Sequence, residues 1–196
     1  DFDEVRDSLD VYPDNSLLWS DSDGDGYADQ SGTEISDDCP EIAGTSTSGY
    51  LGCTDLDGDS WADALDEYPM DGTQWVDSDS DGYGDNQTGT NPDSCPSVEG
   101  YSEFDRMGCP DADEDGYSDP SGDWGTEDGA DAFPARDSQW ADSDSDGFGD
   151  NPSPAYLSDD CPSVSGTSTQ DLLGCRDSDG DGWSDGGDVF EGDPSQ

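Results

Sequence analysis

The 196-residue chain has no histidine and only four Lys+Arg against 53 Asp+Glu, for a formal net charge of -49. Without histidine, an activated nucleophile or a Gly-rich phosphate loop, it lacks the usual equipment of acid–base, covalent or phosphoryl chemistry, so no enzyme is expected. Its single sign of charge disfavours nucleic acid and anionic membrane as partners, although bound cations would neutralise a share of it. Apolar residues are also scarce. Only 28% of the chain is hydrophobic, and no segment suits direct membrane insertion. So little burial does not offset an ordering entropy of about 1–2 kcal/mol per residue. Two carboxylates about 5 Å apart repel by roughly 3 kcal/mol at an effective dielectric near 20. Left to itself, the chain reads as disordered. Helical and strand periodicity are missing too, since Gly, Pro, Ser and Asp dominate everywhere.

What is present is a motif. Asp-x-Asp-x-Asp occurs six times, as Asp21-Asp23-Asp25, Asp55-Asp57-Asp59, Asp77-Asp79-Asp81, Asp111-Asp113-Asp115, Asp142-Asp144-Asp146 and Asp177-Asp179-Asp181. Five runs continue into Gly, and the second has Ser60 in that slot. Side chains at positions 1, 3 and 5 of such a loop converge on one point, and the residue at 6 turns the backbone sharply. An aromatic follows at 7, as Tyr27, Trp61, Tyr83, Tyr117, Phe148 and Trp183, whose carbonyls are candidate ligands. Position 9 is always acidic, as Asp29, Asp63, Asp85, Asp119, Asp150 and Asp185, a regularity that a random acidic tract would lack. Three carboxylates and a carbonyl supply most of a shell for Ca2+, a hard cation with six to eight oxygen ligands. At least one ion per loop is expected, with binding energy becoming folding energy.

Two loops carry an acid at position 12, Asp66 and Asp188, and have the most complete shells. The loops from Asp21, Asp77 and Asp142 have Gly32, Thr88 and Ser153 there. Asp37, Asp38, Asp93, Asp159 and Asp160, just before three Cys-Pro pairs, are candidates to close them. Asp128 and Asp131 align with Asp63 and Asp66, and are candidates to replace Asp119 in closing the Asp111 loop.

The loops belong to a larger repeat. Trp19, Trp75 and Trp140 each stand two residues before a triplet, 56 and then 65 residues apart. The expected organisation is the tail of a preceding repeat over 1–18, then units over 19–74, 75–139 and 140–196, with an inserted surface loop at about 120–130. Asp1 and Asp3 align with Asp57 and Asp59, and Gln196 with Gln74 and Gln139, so the chain reads as a window on a longer array. Trp19, Trp61, Trp75, Trp140 and Trp183 are expected to form a minimal core between units. The cysteines fall as Cys39/Cys53, Cys95/Cys109 and Cys161/Cys175. Six cysteines allow 15 connectivities, and the repeated spacing favours pairing within each pair. Such a loop closure is worth about 3 kcal/mol in the chain-entropy model. Zinc is the weaker alternative, since no pair is Cys-x-x-Cys and there is no histidine. Disulfides imply an oxidising, extracellular or cell-surface setting, where calcium sites of about 0.1–1 mM affinity are useful. Asn86 begins one N-glycosylation sequon, whereas Pro152 blocks that of Asn151. The Ser/Thr runs inside the Cys loops read as flexible loop or as sites for O-glycans.

A helix-loop-helix calcium hand does not fit, because no flank carries a helical pattern. The Asp-x-Asp-x-Asp-Gly-aromatic-x-Asp run, seen at Asp21 to Asp29 and Asp77 to Asp85, with Asp-Cys-Pro at Asp38 to Pro40 and Asp160 to Pro162, resembles the thrombospondin type 3 repeats and related acidic repeats of microbial surface proteins. The likeness covers essentially the whole chain. It departs from the family in a Cys placed ten residues beyond the position-9 Asp (eleven in the third repeat), a 14-residue Cys loop and a Trp-led linker. The resemblance implies an irregular fold wound around a string of calcium ions, stapled by disulfides, in an extracellular structural or adhesive segment. The expected architecture is an elongated, solenoid-like repeat array with little regular secondary structure. The expected function is a rigid spacer, stalk or self-assembled fibre, with neighbouring repeats or copies of the chain as partners. The alternative is a module that binds a protein or glycan through exposed aromatics, with Trp124 foremost.

Overall fold

In a computed structural model, the described residues are 5, 6 and 8–195. Asp1, Asp3 and Gln196, aligned above with other repeats, lie outside them. Among the described residues there is neither helix nor strand, and pairing is confined to isolated bridges such as Ala28 with Ser36 and Gly149 with Ser158. The chain divides into two compact units, Asp1–Pro92 and Asp93–Gln196. The boundary falls inside the second sequence repeat, just before its Cys-Pro pair.

Each acidic loop is closed on itself by a backbone bond between its flanks. The position-9 N–H donates to the carbonyl just before position 1: Asp29 to Ser20 at 3.0 Å, Asp63 to Thr54 and Asp85 to Val76 at 2.9 Å. In the second unit the pairs are Asp119 with Pro110, Asp150 with Ala141 and Asp185 with Arg176. Inside each loop, the position-1 carboxylate accepts the N–H groups of positions 4 and 6, as Asp21 does from Gly24 and Gly26 and Asp177 from Gly180 and Gly182. The loop therefore takes its shape from aspartate–backbone bonds, which is why short polar residues suffice.

The cysteines pair within each repeat, Cys39–Cys53, Cys95–Cys109 and Cys161–Cys175, each with Cα atoms 5.1 Å apart. Around each bridge the chain turns back so closely that a Cβ on Gly44, Gly100 or Gly166 would lie about 2 Å from backbone of the second cysteine. Fully buried Ser46, Ser102 and Ser168 hold the turn. The Ser46 hydroxyl donates to the Tyr50 carbonyl at 2.5 Å and accepts from the Cys53 N–H at 2.9 Å. Ser102 and Ser168 donate in the same way to Arg106 and Leu172.

The tryptophan core is not what the structure contains. Trp19 and Trp183 are 42% and 46% exposed, and Trp61, Trp75 and Trp140 are only half-buried. One ring pair does form, Tyr117 stacked on Trp140 with centroids 4.8 Å apart. Apart from Leu18 and Phe133, the buried positions hold small and polar residues: Ala28, Ala62, Ala130, the second cysteines, the serines above, Gln74 and Gln139 among them. A chain with so few apolar residues buries polar groups and satisfies them by hydrogen bonds. Gln139 Oε1 accepts the Asn151 N–H at 2.9 Å, while its amide nitrogen donates to the Asn151 and Tyr156 carbonyls at 3.1 and 3.2 Å. Gln74 makes the equivalent bonds to Asn86 and Thr90. The insert at about 120–130 folds back on its own repeat, with Trp124 Nε1 donating to Ser118 Oγ at 3.0 Å and the Arg106 guanidinium 5.4 Å from the Trp124 ring.

Candidate metal centres

In the loops from Asp21, Asp55, Asp77, Asp111 and Asp142, the three carboxylates each offer an oxygen, and these oxygens lie within 4.8 Å of one another. Their division of labour is the same in each repeat. Position 5 fixes the turn by accepting the N–H of position 7, as Asp25 does from Tyr27, Asp59 from Trp61 and Asp146 from Phe148. Asp81, Asp115 and Asp181 do the same for Tyr83, Tyr117 and Trp183. Among the described residues, no backbone N–H donates to the carbonyls of Tyr27, Trp61, Tyr117, Phe148 or Trp183, which leaves those oxygens available to an ion. Position 9 is engaged differently. Asp29, Asp150 and Asp185 each accept both the N–H and the hydroxyl of a serine at position 2, and Asp63 and Asp119 accept the position-2 N–H. Asp85 is held by Ser78 in the same manner. These carboxylates clasp the loop, which leaves only their remaining lone pairs for an ion. The hydroxyls of Ser20 and Ser22 accordingly hold Asp29 below the usual carboxylate range.

For the Asp21, Asp111 and Asp142 loops, burial separates the candidate closing carboxylates from their neighbours farther along the chain. Asp37, not Asp38, is buried, and so is Asp159, not Asp160. Asp38 and Asp160 lie outside and accept from the Leu51 and Leu173 N–H groups at 2.9 Å. In the insert-bearing repeat the buried residue is Asp131, while Asp128 is exposed and accepts from the Gly125 N–H. Asp128 therefore does not take the place of Asp119, which keeps position 9. Asp37, Asp66, Asp93, Asp131, Asp159 and Asp188 share one device: Oδ1 accepts the N–H two residues on, at 2.6 to 2.7 Å. That bond pins the carboxylate and leaves Oδ2 to point elsewhere. Asp10 makes the same bond to Tyr12.

The electrostatics are those of carboxylates buried beside the loops. Burial pushes Asp131 up to about 7, with Asp115, Asp113 and Asp119 adding repulsion. Burial likewise raises Asp115 to about 6, with Asp113 and Asp111 adding to it. Asp37, Asp66 and Asp159 are raised by burial and then by the carboxylates of the Asp21, Asp55 and Asp142 loops respectively. Asp188 adds to the repulsion on Asp179. Buried oxygens without a hydrogen-bond partner include Oδ2 of Asp23, Asp57, Asp59, Asp115 and Asp179, Oδ1 of Asp113, and Oδ2 of Asp37, Asp131 and Asp159. A buried anionic oxygen with no donor is costly unless a cation pairs with it. The donor set is all carboxylate and carbonyl oxygen, so the residues present fit a hard metal ion at each cluster.

The sequence pattern missed the buried amides and serines that position these loops. Asn86 is also put to structural use: its Nδ2 donates to the Thr73 carbonyl at 2.8 Å, as Asn151 Nδ2 donates to Ser138. The class defined by fold and site is thus an irregular, disulfide-stapled chain of repeated acidic loops able to hold metal. Compared with known families and curated proteins, it matches no family model and no curated sequence. The three disulfides fit an oxidising compartment. Among the described residues, no helix is long and apolar enough to cross a membrane.

Proposed function

We propose that the chain is a calcium-folded extracellular or cell-surface structural segment, akin to thrombospondin type 3 repeats, that serves as a stiff spacer, stalk or fibre. The observation that carries this reading is the set of buried carboxylate oxygens without donors, aimed into loops already shaped by position 1. Calcium suits it better than magnesium. The donors are carboxylate and carbonyl oxygens on irregular backbone, which suit calcium's flexible shell, whereas magnesium demands near-ideal octahedral geometry and prefers to keep several waters. Metal would also supply the cohesion that 28% hydrophobic residues do not. With one ion cluster expected per half-repeat, an array whose units touched chiefly their neighbours would extend and leave ends able to pair with copies of itself.

The test is a calcium titration of chelator-stripped, oxidised protein, followed by near-ultraviolet circular dichroism and small-angle scattering. The expected outcome is a cooperative transition near millimolar calcium, from an expanded coil to a rod, with magnesium far less effective. A chain that stays expanded at saturating calcium overturns the reading and leaves an acidic disordered buffer.

A further inference from the structure

The middle repeat carries a feature that its sisters lack. In all three repeats the strand of chain after the first cysteine is fixed identically, two successive N–H groups donating to the position-6 carbonyl of the following loop. The pairs are Thr47 and Ser48 to Ser60, Glu103 and Phe104 to Gly116, and Thr169 and Gln170 to Gly182, all at 2.7 to 2.9 Å. On this shared backbone, the outer repeats present Thr45, Thr47 and Ser48, or Thr167, Thr169 and Gln170, with Gly58 or Gly180 opposite. The middle repeat presents Tyr101, Glu103 and Phe104, with Glu114 opposite. These four line one cavity of about 520 Å³ together with Asp111, Asp115 and Gly116. Phe104 is 67% exposed and Tyr101 55%. Phe104 occupies space left by Gly116, where a Cβ would lie 2.5 Å from the ring, and its ring centroid is 5.6 Å from that of Tyr117.

An open aromatic wall between two exposed glutamates has the chemistry of a cation receptor, because a guanidinium or ammonium is drawn to a ring face and to a carboxylate at once. The chain already sets guanidinium groups on aromatic faces internally: the Arg136 guanidinium lies 4.7 Å from the Phe133 ring centre, and Arg106 lies over Trp124. Metal bound by Asp111 and Asp115 would neutralise those two carboxylates and leave Glu103 and Glu114 to the visitor. We propose that this cavity is a docking site for a cationic side chain, arginine foremost and lysine next, of a basic protein partner.

The test uses the whole calcium-loaded chain at physiological salt and a capped Gly-Gly-Arg-Gly-Gly peptide, with citrulline in place of arginine as the neutral control. A neutral glucan oligosaccharide forms a second arm. Binding is read by amide NMR shifts. The expected result is saturable shifts at Tyr101, Phe104 and Glu114, with affinity lowered about tenfold in Tyr101→Thr/Phe104→Ser. That double variant keeps the net charge and installs side chains that the outer repeats carry on the same backbone. Glu103→Thr/Glu114→Gly is expected to weaken binding similarly. Shifts spread evenly over all six loops, a double variant that binds as well as the parent, or citrulline or glucan binding as well as arginine would each overturn the proposal. The near-ultraviolet signal of the same samples reports calcium-induced folding separately. Its absence would overturn the metal-folded reading, and the folded cavity with it, before any peptide is added.

Discussion

The first repeat and its two successors solve one packing problem with opposite chemistry. Just before the leading tryptophan, repeat one buries Leu18, whereas the later repeats bury Gln74 and Gln139. Position 8 of the first loop is Ala28 in repeat one but Gly84 and Gly149 in the others, and the reason is steric. A Cβ on Gly84 or Gly149 would lie about 2 Å from the glutamine Oε1. The residue after position 9 changes in step. Gln30 takes the Trp19 and Ser20 N–H groups in repeat one, while Asn86 and Asn151 bond to the buried glutamines in the others. A second site behaves likewise. Asp171 holds the N–H and hydroxyl of Ser184 beside Gly187, where a Cβ would lie 1.9 Å from its carboxylate. Repeat one has Gly49, Ala62 and Leu65 at these positions, and a Cβ on Gly49 would meet Leu65 at 2.8 Å. The backbone is the invariant, and apolar and hydrogen-bonded fillings are interchangeable only as sets.

The sharpest way to break this comparison is Gly149→Ala. The Gln139 amide has three hydrogen bonds and no room to yield, so overpacking should cost about 2–3 kcal/mol in calcium-saturated protein. Gln139→Leu alone should also destabilise, by about 1–3 kcal/mol, because it strips the Asn151 N–H and the Asn151 and Tyr156 carbonyls of their partner. Combining Gly149→Ala, Gln139→Leu and Asn151→Gln rebuilds the solution of repeat one. Denaturant melts should return it to within about 1 kcal/mol of the parent, a large favourable coupling. Strict additivity would show that the three positions do not act as a set.

These sets also mark what could be read without coordinates. The acidic loops were legible because their carboxylates lie within nine residues of one another, where spacing alone decides geometry. The disulfides were legible because one interval recurs three times. The closing carboxylates were only half legible: Asp37 and Asp38 are neighbours of identical chemistry, and only the turn that points one inward and the other at Leu51 tells them apart. Gln74 and Gln139 were invisible because glutamine is ordinarily a surface residue, and its burial depends on carbonyls twelve to seventeen positions away. The tryptophans misled for the converse reason, since size suggests a core that small polar residues in fact fill.

A second comparison sets the Asp111 loop, with fully buried Asp131 across an insert, against the Asp21, Asp55 and Asp142 loops, whose aspartates Asp37, Asp66 and Asp159 are slightly more exposed. Asp131 stands at about 7 and Asp115 at about 6 in the metal-free fold, both above the ordinary value near 4. Because these folded values are raised, protonation favours the metal-free fold, and that contribution fades as pH rises from about 4 to about 7. Once the other loops are loaded and the fold is in place, calcium entering the Asp111 loop has to displace the same protons. At pH 6.5, calorimetry in two buffers of different ionisation enthalpy should therefore show proton release, which Asp131→Asn largely abolishes. Below pH 6 the affinity of this loop should fall about tenfold per pH unit for each displaced proton, or about 1.4 kcal/mol. Identical release in Asp131→Asn would remove the distinction between this loop and the rest.

The smallest effect isolates the one loop that departs from its sisters at position 6. Ser60 sits at φ 90, where the others have Gly26, Gly82, Gly116, Gly147 and Gly182 at φ 93 to 100. A side chain there costs about 1–2 kcal/mol, while glycine loosens the unfolded chain by about 0.5–1 kcal/mol. Ser60→Gly should thus gain about 0.5–1 kcal/mol and tighten calcium binding at the Asp55 loop severalfold, since the Ser60 carbonyl that receives Thr47 and Ser48 is untouched. Gly82→Ser should lose about as much, because nothing lies within 4 Å of a Cβ built there and the cost is conformational alone. Calcium titrations of both variants give the answer. Equal and opposite shifts would establish backbone strain as the only difference between the two loops at this position, whereas a weaker site in Ser60→Gly would mean that the serine hydroxyl itself helps to hold the ion.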